Sequence, residues 1–273
     1  MRRPASEIAV VTAHFGDTAW IRLLGARLRE CLPVLRERNL YVIDQNRTAD
    51  SAAAIRAALG DVHVLRYPPS EPHFAATGHD HAYALNLALR EPAEGRLILI
   101  DSDAHPTTPR VWPLLVELLS RNDAVLAAKS VEDRLSHPCF MLFGPEVARD
   151  QLAFDQQQTD SGSDTGRLIY QQLSDFGHRV ELLAPEPAFD GIWGTFFLER
   201  TVYHHGSGSF EHSANPRLTA QWATWKRNEQ FARKRVFTHR YELTRSEQML
   251  LALLRAADTS RGRAATTLAK LRR

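Results

Sequence analysis

Residues 97–103 read Leu97-Ile98-Leu99-Ile100-Asp101-Ser102-Asp103. Four apolar residues without polar alternation form the pattern of a short strand buried on both faces of a sheet. The run ends in two carboxylates one residue apart. Side chains at i and i+2 of an extended segment point the same way, so Asp101 and Asp103 can share one hard divalent cation, Mg²⁺ or Mn²⁺. Such ions take one or two carboxylates plus substrate phosphates rather than an all-protein cage. A diphosphate leaving group suits that pairing, because the ion absorbs the charge that develops as the bond breaks. An Asp-x-Asp elsewhere often only caps a helix or faces water; its position after a wholly apolar run in mid-chain distinguishes this one.

Outward from this stretch, strand and helix patterns alternate. Toward the N-terminus the sequence predicts strands over 8–12, 40–43 and 62–65, separated by helices over 20–32 and 51–59, with a further helix over 82–89. Toward the C-terminus it predicts a helix over 110–119, strands over 124–128 and 139–143, a helix over 164–176, and strands over 180–183 and 201–204. Residues 185–194 read as a Pro/Gly/aromatic loop, and the chain turns helical after Asn215. Alternation of this kind implies an α/β fold with a mainly parallel sheet covered on both faces. Ligands of such sheets bind beyond the carboxyl ends of the strands, which directs attention to residues 14–17, 44–47 and 101–105.

The 273 residues suffice for one large α/β domain, and 44% hydrophobic with 24% charged residues is ordinary globular composition. No apolar run approaches the ~20 residues that span a bilayer. The first residues, Met1-Arg2-Arg3-Pro4, show no signal-peptide core, so a cytoplasmic location is expected. Cys31 and Cys139 lack metal-ligand spacing in sequence and read as two reduced thiols. The net charge of +2 conceals an asymmetry: residues 221–273 carry 13 Lys and Arg against 4 Asp and Glu, and the rest carries 21 against 28. A basic tail on an acidic body meets an anionic surface, the body itself, or only solvent. A peripheral contact with the inner face of the membrane is one expectation. With no zinc, RNA-binding or helix-turn-helix signature, nucleic acid is not expected.

Four features in order resemble the GT-A glycosyltransferases, most closely glycosyltransferase family 2. Residues 8–17 (IAVVTAHFGD) look like the first strand and its nucleotide-facing loop. Tyr41-Val42-Ile43-Asp44-Gln45-Asn46 resembles the second strand and its acidic element. Residues 78–86 (GHDHAYALN) resemble the Gly-x-x-x-Ala-x-x-x-Asn helix that precedes the metal strand. Asp101-Ser102-Asp103 then stands where the Asp-x-Asp belongs. More loosely, residues 138–143 (PCFMLF) look like the strand flanking the donor sugar, 159–166 (TDSGSDTG) like the acidic acceptor-side helix start, and 204–209 (HHGSGS) like the late histidine loop near the diphosphate. The likeness covers residues 7–210. It departs from the family at Gln45-Asn46-Arg47, at the polar cluster His79-Asp80-His81, and at Asp-Thr-Gly in place of Glu-Asp.

The resemblance implies a GT-A fold, a Rossmann-like mixed sheet flanked by helices. The catalytic domain would span residues 1–215, with a nucleotide-sugar half to about 105 and an acceptor half beyond, followed by a basic helical extension over 216–273. It implies a metal-dependent hexosyltransferase that moves a sugar from a nucleotide-diphosphate sugar to a hydroxyl of a glycan, lipid or small molecule. Thr12, Ala13 and His14 would line the nucleotide, and Asp44 with Asn46 would hold the base or ribose. Gly78, Asn86, Asp101 and Ser102 are counted among the donor contacts. Asp101, Asp103 and His205, or its neighbour His204, would hold Mn²⁺ or Mg²⁺. Asp164 is the candidate general base of an inverting displacement, with Asp160 as fallback, and Asp164 also reads as an N-cap. Trp193 would stack on a sugar ring or sit in the core.

Two other classes fit the Asp-x-Asp. In haloacid-dehalogenase-type phosphatases the motif stands near the chain start with Thr or Val two residues after its second Asp; here it is at mid-chain, with His105 in that place. A nucleotidyltransferase would show a Gly-rich, basic first loop, which His14-Phe15-Gly16-Asp17 is not. A non-catalytic nucleotide-sugar binding module is the third reading.

Overall fold

A computed structural model describes residues 8–16, 18–35, 37–46, 48–67, 78–93, 95–154, 165–206 and 219–249. Its strands are β1 (Ile8–His14), β2 (Leu40–Asp44), β3 (His63–Arg66), β4 (Arg96–Ile100), β5 (Ala104–Pro106), β6 (Ala124–Ser130), β7 (Leu135–Phe143), β8 (Val180–Leu183), β9 (Glu186–Pro187), β10 (Thr195–Phe197) and β11 (Val202–His204). Its helices are α1 (Thr18–Cys31), α2 (Ser51–Leu59), α3 (Gly78–Arg90), α4 (Val111–Arg121), α5 (Ile169–Asp175) and α6 (Thr219–Val236).

Seven strands form one sheet in the order β3-β2-β1-β4-β7-β6-β8. Neighbouring strands β1 to β4 run parallel, β7 runs antiparallel to both β4 and β6, and β8 returns parallel to β6. The α/β class with a mixed sheet flanked by helices is therefore as the sequence predicts. Strand alternation divides the core into two layers. Val10, Val42, Ile98 and Ile100 face α1, α2 and α4 through Leu24, Leu28, Ile55 and Leu115. Val11, Ile43, Leu97 and Leu99 face α3 and α5 through Leu85, Leu89, Ile169 and Leu173. Each such aliphatic side chain, fully buried, contributes about 1.5–3 kcal/mol, so the central strands are the rigid base of whatever their ends carry.

A second sheet, β5-β11-β10-β9, is antiparallel. Strands β5, β9 and β10 go beyond the sequence expectation: they are two or three residues long, too short for a periodic signal. Strand β7 begins at Leu135 rather than Cys139, because the polar Ser136-His137-Pro138 interrupts the apolar pattern while the backbone continues extended. A third cluster joins Trp20 and Leu23 of α1 to Phe189, Phe196, Tyr203 and, from α6, Ala232 and Val236. Thus α6 packs on the α/β body. Among the described residues no helix is long and apolar enough to cross a membrane.

Candidate active site

Strand β4 delivers Asp101 at its carboxyl end, and the Asp101 amide donates to the Cys139 carbonyl of β7 at 3.0 Å. The chain then turns, with the Ala104 amide donating to the Asp101 carbonyl at 3.0 Å, and enters β5. There Ala104 pairs with His204 and His105 with Tyr203 of β11. The second sheet thereby lays β11 across the Asp-x-Asp turn. His204 Nε2 stands 3.5 Å from Asp103 Oδ1 and 3.7 Å from Asp101 Oδ2. On Asp101's other side, His81 Nε2 of α3 lies 3.6 Å from Oδ1.

This donor set fits a divalent cation. One ligand atom from each of Asp101, Asp103 and His204 lies within 4.8 Å of the others. Asp101 Oδ1 is buried and, apart from His81 at 3.6 Å, has no hydrogen-bond partner among the described residues, which leaves it a lone pair for a cation. Burial pushes the Asp101 carboxyl up from its ordinary range, against the opposing pull of His81 and His204. Burial also works against charge on His204, but Cys139 and Asp103 outweigh it and push this imidazole up to about 9. Cys139 is held below its ordinary value: burial opposes ionisation, and His137 and His204 overcome it. The mouth of β4 is thus a compact field of two carboxylates and three imidazoles.

The sequence reading offered His205 or its neighbour His204 for the metal. Of the neighbouring pair, His204 meets the carboxylates. His205 points to the opposite side, as consecutive residues of an extended chain do. It is 2% exposed, with Nδ1 3.0 Å from the Tyr203 hydroxyl and Nε2 3.3 Å from Glu229 of α6. Its ring lies 4.5 Å from that of Trp20. Burial, ahead of its other interactions, lowers its pKa. His105, also buried, hydrogen-bonds the Tyr241 hydroxyl at 2.7 Å, and burial with nearby Arg27 takes its pKa down to about 3.

The nucleotide-side residues divide. Thr12, Ala13 and His14 end β1 with buried side chains, and Phe15, 46% exposed, is the large side chain at the surface of this strand exit. Asp44, expected to hold a base or ribose, is fully buried and organises its own loop. Its Oδ1 accepts from the Asn46 amide at 3.0 Å and from Asn46 Nδ2 at 3.1 Å, and its Oδ2 accepts from Ser51. Asn46 in turn accepts the Gly16 amide at 2.9 Å, tying the first two strand exits into one rim. Asn86 is likewise diverted from the expected donor contact. Its Oδ1 accepts the Phe154 amide at 2.7 Å and its Nδ2 donates to the Phe154 carbonyl at 3.4 Å, because the α3 face that carries Asn86 is turned to residues 152–154. Gly78 opens α3, and Ser102 lies buried in the Asp-x-Asp turn.

Asp164 and Asp160 lie outside the described residues, as do the side chains of His79 and Asp80. The chain resumes near β7: the Ser136 hydroxyl donates to the Gly166 carbonyl at 2.6 Å. Beside His204 opens a cleft of about 380 Å³, lined by His137, Trp193, Gly194, Thr195, His204 and Gly206 among others. Trp193 therefore borders the site.

No family model matches the chain, and no curated protein sequence matches it. Solved structures that match the chain include a mannosyltransferase from Pyrobaculum calidifontis in complex with GDP-Man and Mn²⁺, at 18% identity and TM-score 0.47 over 66% of this chain and 55% of that one. S. aureus TarS matches at 12% identity and TM-score 0.47, over 65% of this chain and 58% of that one. A glucosyl-3-phosphoglycerate synthase from Mycobacterium tuberculosis, in complex with Mn²⁺, UDP and phosphoglyceric acid, matches at 16% identity and TM-score 0.44, over 65% and 68%. The chain spans little more than half the length of the first two. All three matches lie at or below 18% identity and at or below a TM-score of 0.47.

Proposed function

We propose that the protein is a glycosyltransferase that moves a sugar from a nucleoside-diphosphate sugar to an acceptor hydroxyl. The observation that carries this reading is the convergence of Asp101, Asp103 and His204 at the carboxyl end of β4. Two carboxylates and one imidazole suit Mn²⁺, and carboxylates with water suit Mg²⁺. When bound, the ion supplies positive charge to the diphosphate oxygens.

The chain's own residues divide the remaining work. Asp101, Asp103 and His204 would hold that ion, which would place its charge at the diphosphate end of the donor. Phe15 and the rim tied by Asp44 and Asn46 border the nucleotide. The cleft bordered by Trp193 and Thr195 receives the sugar, with the indole face as its apolar platform. Asp164 takes the acceptor hydroxyl's proton. The acceptor oxygen bonds the anomeric carbon as that carbon's bond to the diphosphate oxygen breaks, and a single displacement inverts the configuration.

The test is a thermal-shift panel of nucleotides and nucleotide sugars, with and without Mn²⁺, on wild type and Asp103→Ala. A ligand at a hundred times its dissociation constant adds about 2.7 kcal/mol of stability. One nucleoside diphosphate is expected to stabilise wild type only when metal is present, and the variant not at all. A panel in which no nucleotide moves either melting point defeats the reading.

A further inference from the structure

Beside the Asp-x-Asp lies a second donor set of different chemistry. His137 and Cys139 occupy i and i+2 of β7, so they share a side of the strand, and β11 brings His204 to them. One ligand atom from each of the three lies within 4.8 Å of the others. The His137 and His204 rings stand 5.0 Å apart. The Cys139 amide donates to His137 Nδ1 at 3.0 Å, a bond that an ion taking that nitrogen would replace. Both imidazoles line the cleft, and Cys139 is fully buried behind them. An ion entering the cleft therefore meets two rings with a sulfur at their back.

We infer that His137, Cys139 and His204 form a binding site for a thiophilic divalent ion of the Zn²⁺ class, separate from the carboxylate pair but sharing His204 with it. Thiolate and imidazole select Zn²⁺, whereas carboxylate and water select Mg²⁺ and Mn²⁺. Three protein ligands with an open fourth position form a common zinc arrangement. Bond lengths of about 2.0–2.3 Å set tetrahedral ligand atoms roughly 3.3–3.8 Å apart, which small side-chain movements reach from the present spacing. A neutral imidazole has one nitrogen lone pair to give, so it cannot serve two ions at once. If the transferase reading holds, Zn²⁺ at this site therefore withdraws His204 from the carboxylates and opposes metal-dependent nucleotide binding.

Co²⁺ reports the site without any nucleotide. The full chain is titrated with Co²⁺ and read by the near-ultraviolet sulfur-to-cobalt charge-transfer absorption, in wild type, Cys139→Ser, Cys31→Ser, His137→Ala and Asp103→Asn, with folding checked by circular dichroism. The inference expects a band that saturates at one Co²⁺ per chain and is bleached by Zn²⁺. That band should be absent in Cys139→Ser and retained in Cys31→Ser and Asp103→Asn. His137→Ala, at the strand's partly exposed end, tests the site even if the buried cysteine variant misfolds. Its Co²⁺ affinity should fall by more than the roughly 10-fold that loss of an outer-shell partner costs. Absence of the band in wild type, its survival in folded Cys139→Ser, or unchanged affinity in His137→Ala overturns the inference. Loss of nucleotide binding in Asp103→Asn with the band intact leaves this site standing whatever becomes of the transferase reading.

Discussion

His204 and His205 are adjacent in sequence and opposite in role. His204 faces Asp101 and Asp103 at 3.7 and 3.5 Å; His205 is wedged between Trp20, Tyr203 and Glu229. Substituting each separates metal chemistry from scaffold. His204→Ala should abolish the Mn²⁺-dependent nucleotide stabilisation while leaving the melting point without ligands near wild type. His205→Ala should destabilise the fold by about 2–4 kcal/mol, by loss of packing and by stranding the Tyr203 hydroxyl and Glu229. Denaturant unfolding and ligand-dependent thermal shifts on the two variants decide it, and equal loss of metal response with no loss of stability in His205→Ala refutes the assignment. The carboxylates were legible in the sequence because a buried strand that ends in Asp-x-Asp carries its own geometry. The choice between two neighbouring histidines was not, since it depends on the register of β11 against β5, which pairs His204 with Ala104. That register is set by contacts between segments about a hundred residues apart.

At the level of elements, segments with an apolar run or period of their own were readable, and those held extended only by pairing were not. Helix α2 and strand β8 fall at the predicted residues 51–59 and 180–183. Strands β5, β9 and β10 take their extended form from pairing with one another and β11, and they carry no alternation of their own. Function-like motifs could also be mistaken for what they build. Asn86 falls where the family pattern has its donor-side Asn, yet its amide spans to the backbone of Phe154 across 68 residues. It closes the segment after β7 onto α3, an element-to-element joint. Replacing it by Ala strands a buried amide and carbonyl of Phe154, a cost of about 1–3 kcal/mol. Chemical denaturation of Asn86→Ala should register that loss, and its Mn²⁺-dependent nucleotide shift should match wild type. A normal stability with a lost nucleotide response would return Asn86 to the donor site.

For the molecule as a whole, the charge asymmetry acquires a partial answer. The sequence left the basic tail free to meet a membrane, the acidic body or solvent. Among the described residues, α6 and the segment after it are turned inward. Ala232 and Val236 enter the cluster around Trp20, Glu229 reaches His205, and Tyr241 reaches His105. Arg233 lies 5.4 Å over the Trp20 ring. The extension thus forms the back wall of the second sheet, whose front holds His204. Its last described turn is fastened by Glu247. The Thr244 amide donates to Glu247 Oε2 at 2.8 Å and the Glu247 amide to Thr244 Oγ1 at 3.3 Å, a reciprocal capping box. Arg235 of α6 and Arg240 pair with the same carboxylate. The Thr244 amide, ahead of Arg235, takes the Glu247 carboxyl from its usual 4.5 down to about 2. A carboxylate with a depressed folded pKa stabilises the native state fully above its unfolded pKa and loses that contribution as pH falls through the folded value. The docking of the extension should therefore weaken from about pH 4.5 downward. Melting temperatures of wild type and Glu247→Gln, followed from neutral to about pH 3, should lie apart near neutrality, wild type higher, and converge in acid. A gap that stays constant over that range would mean that the carboxylate charge does not fasten the extension, and that its apolar contacts with Trp20 carry the docking alone.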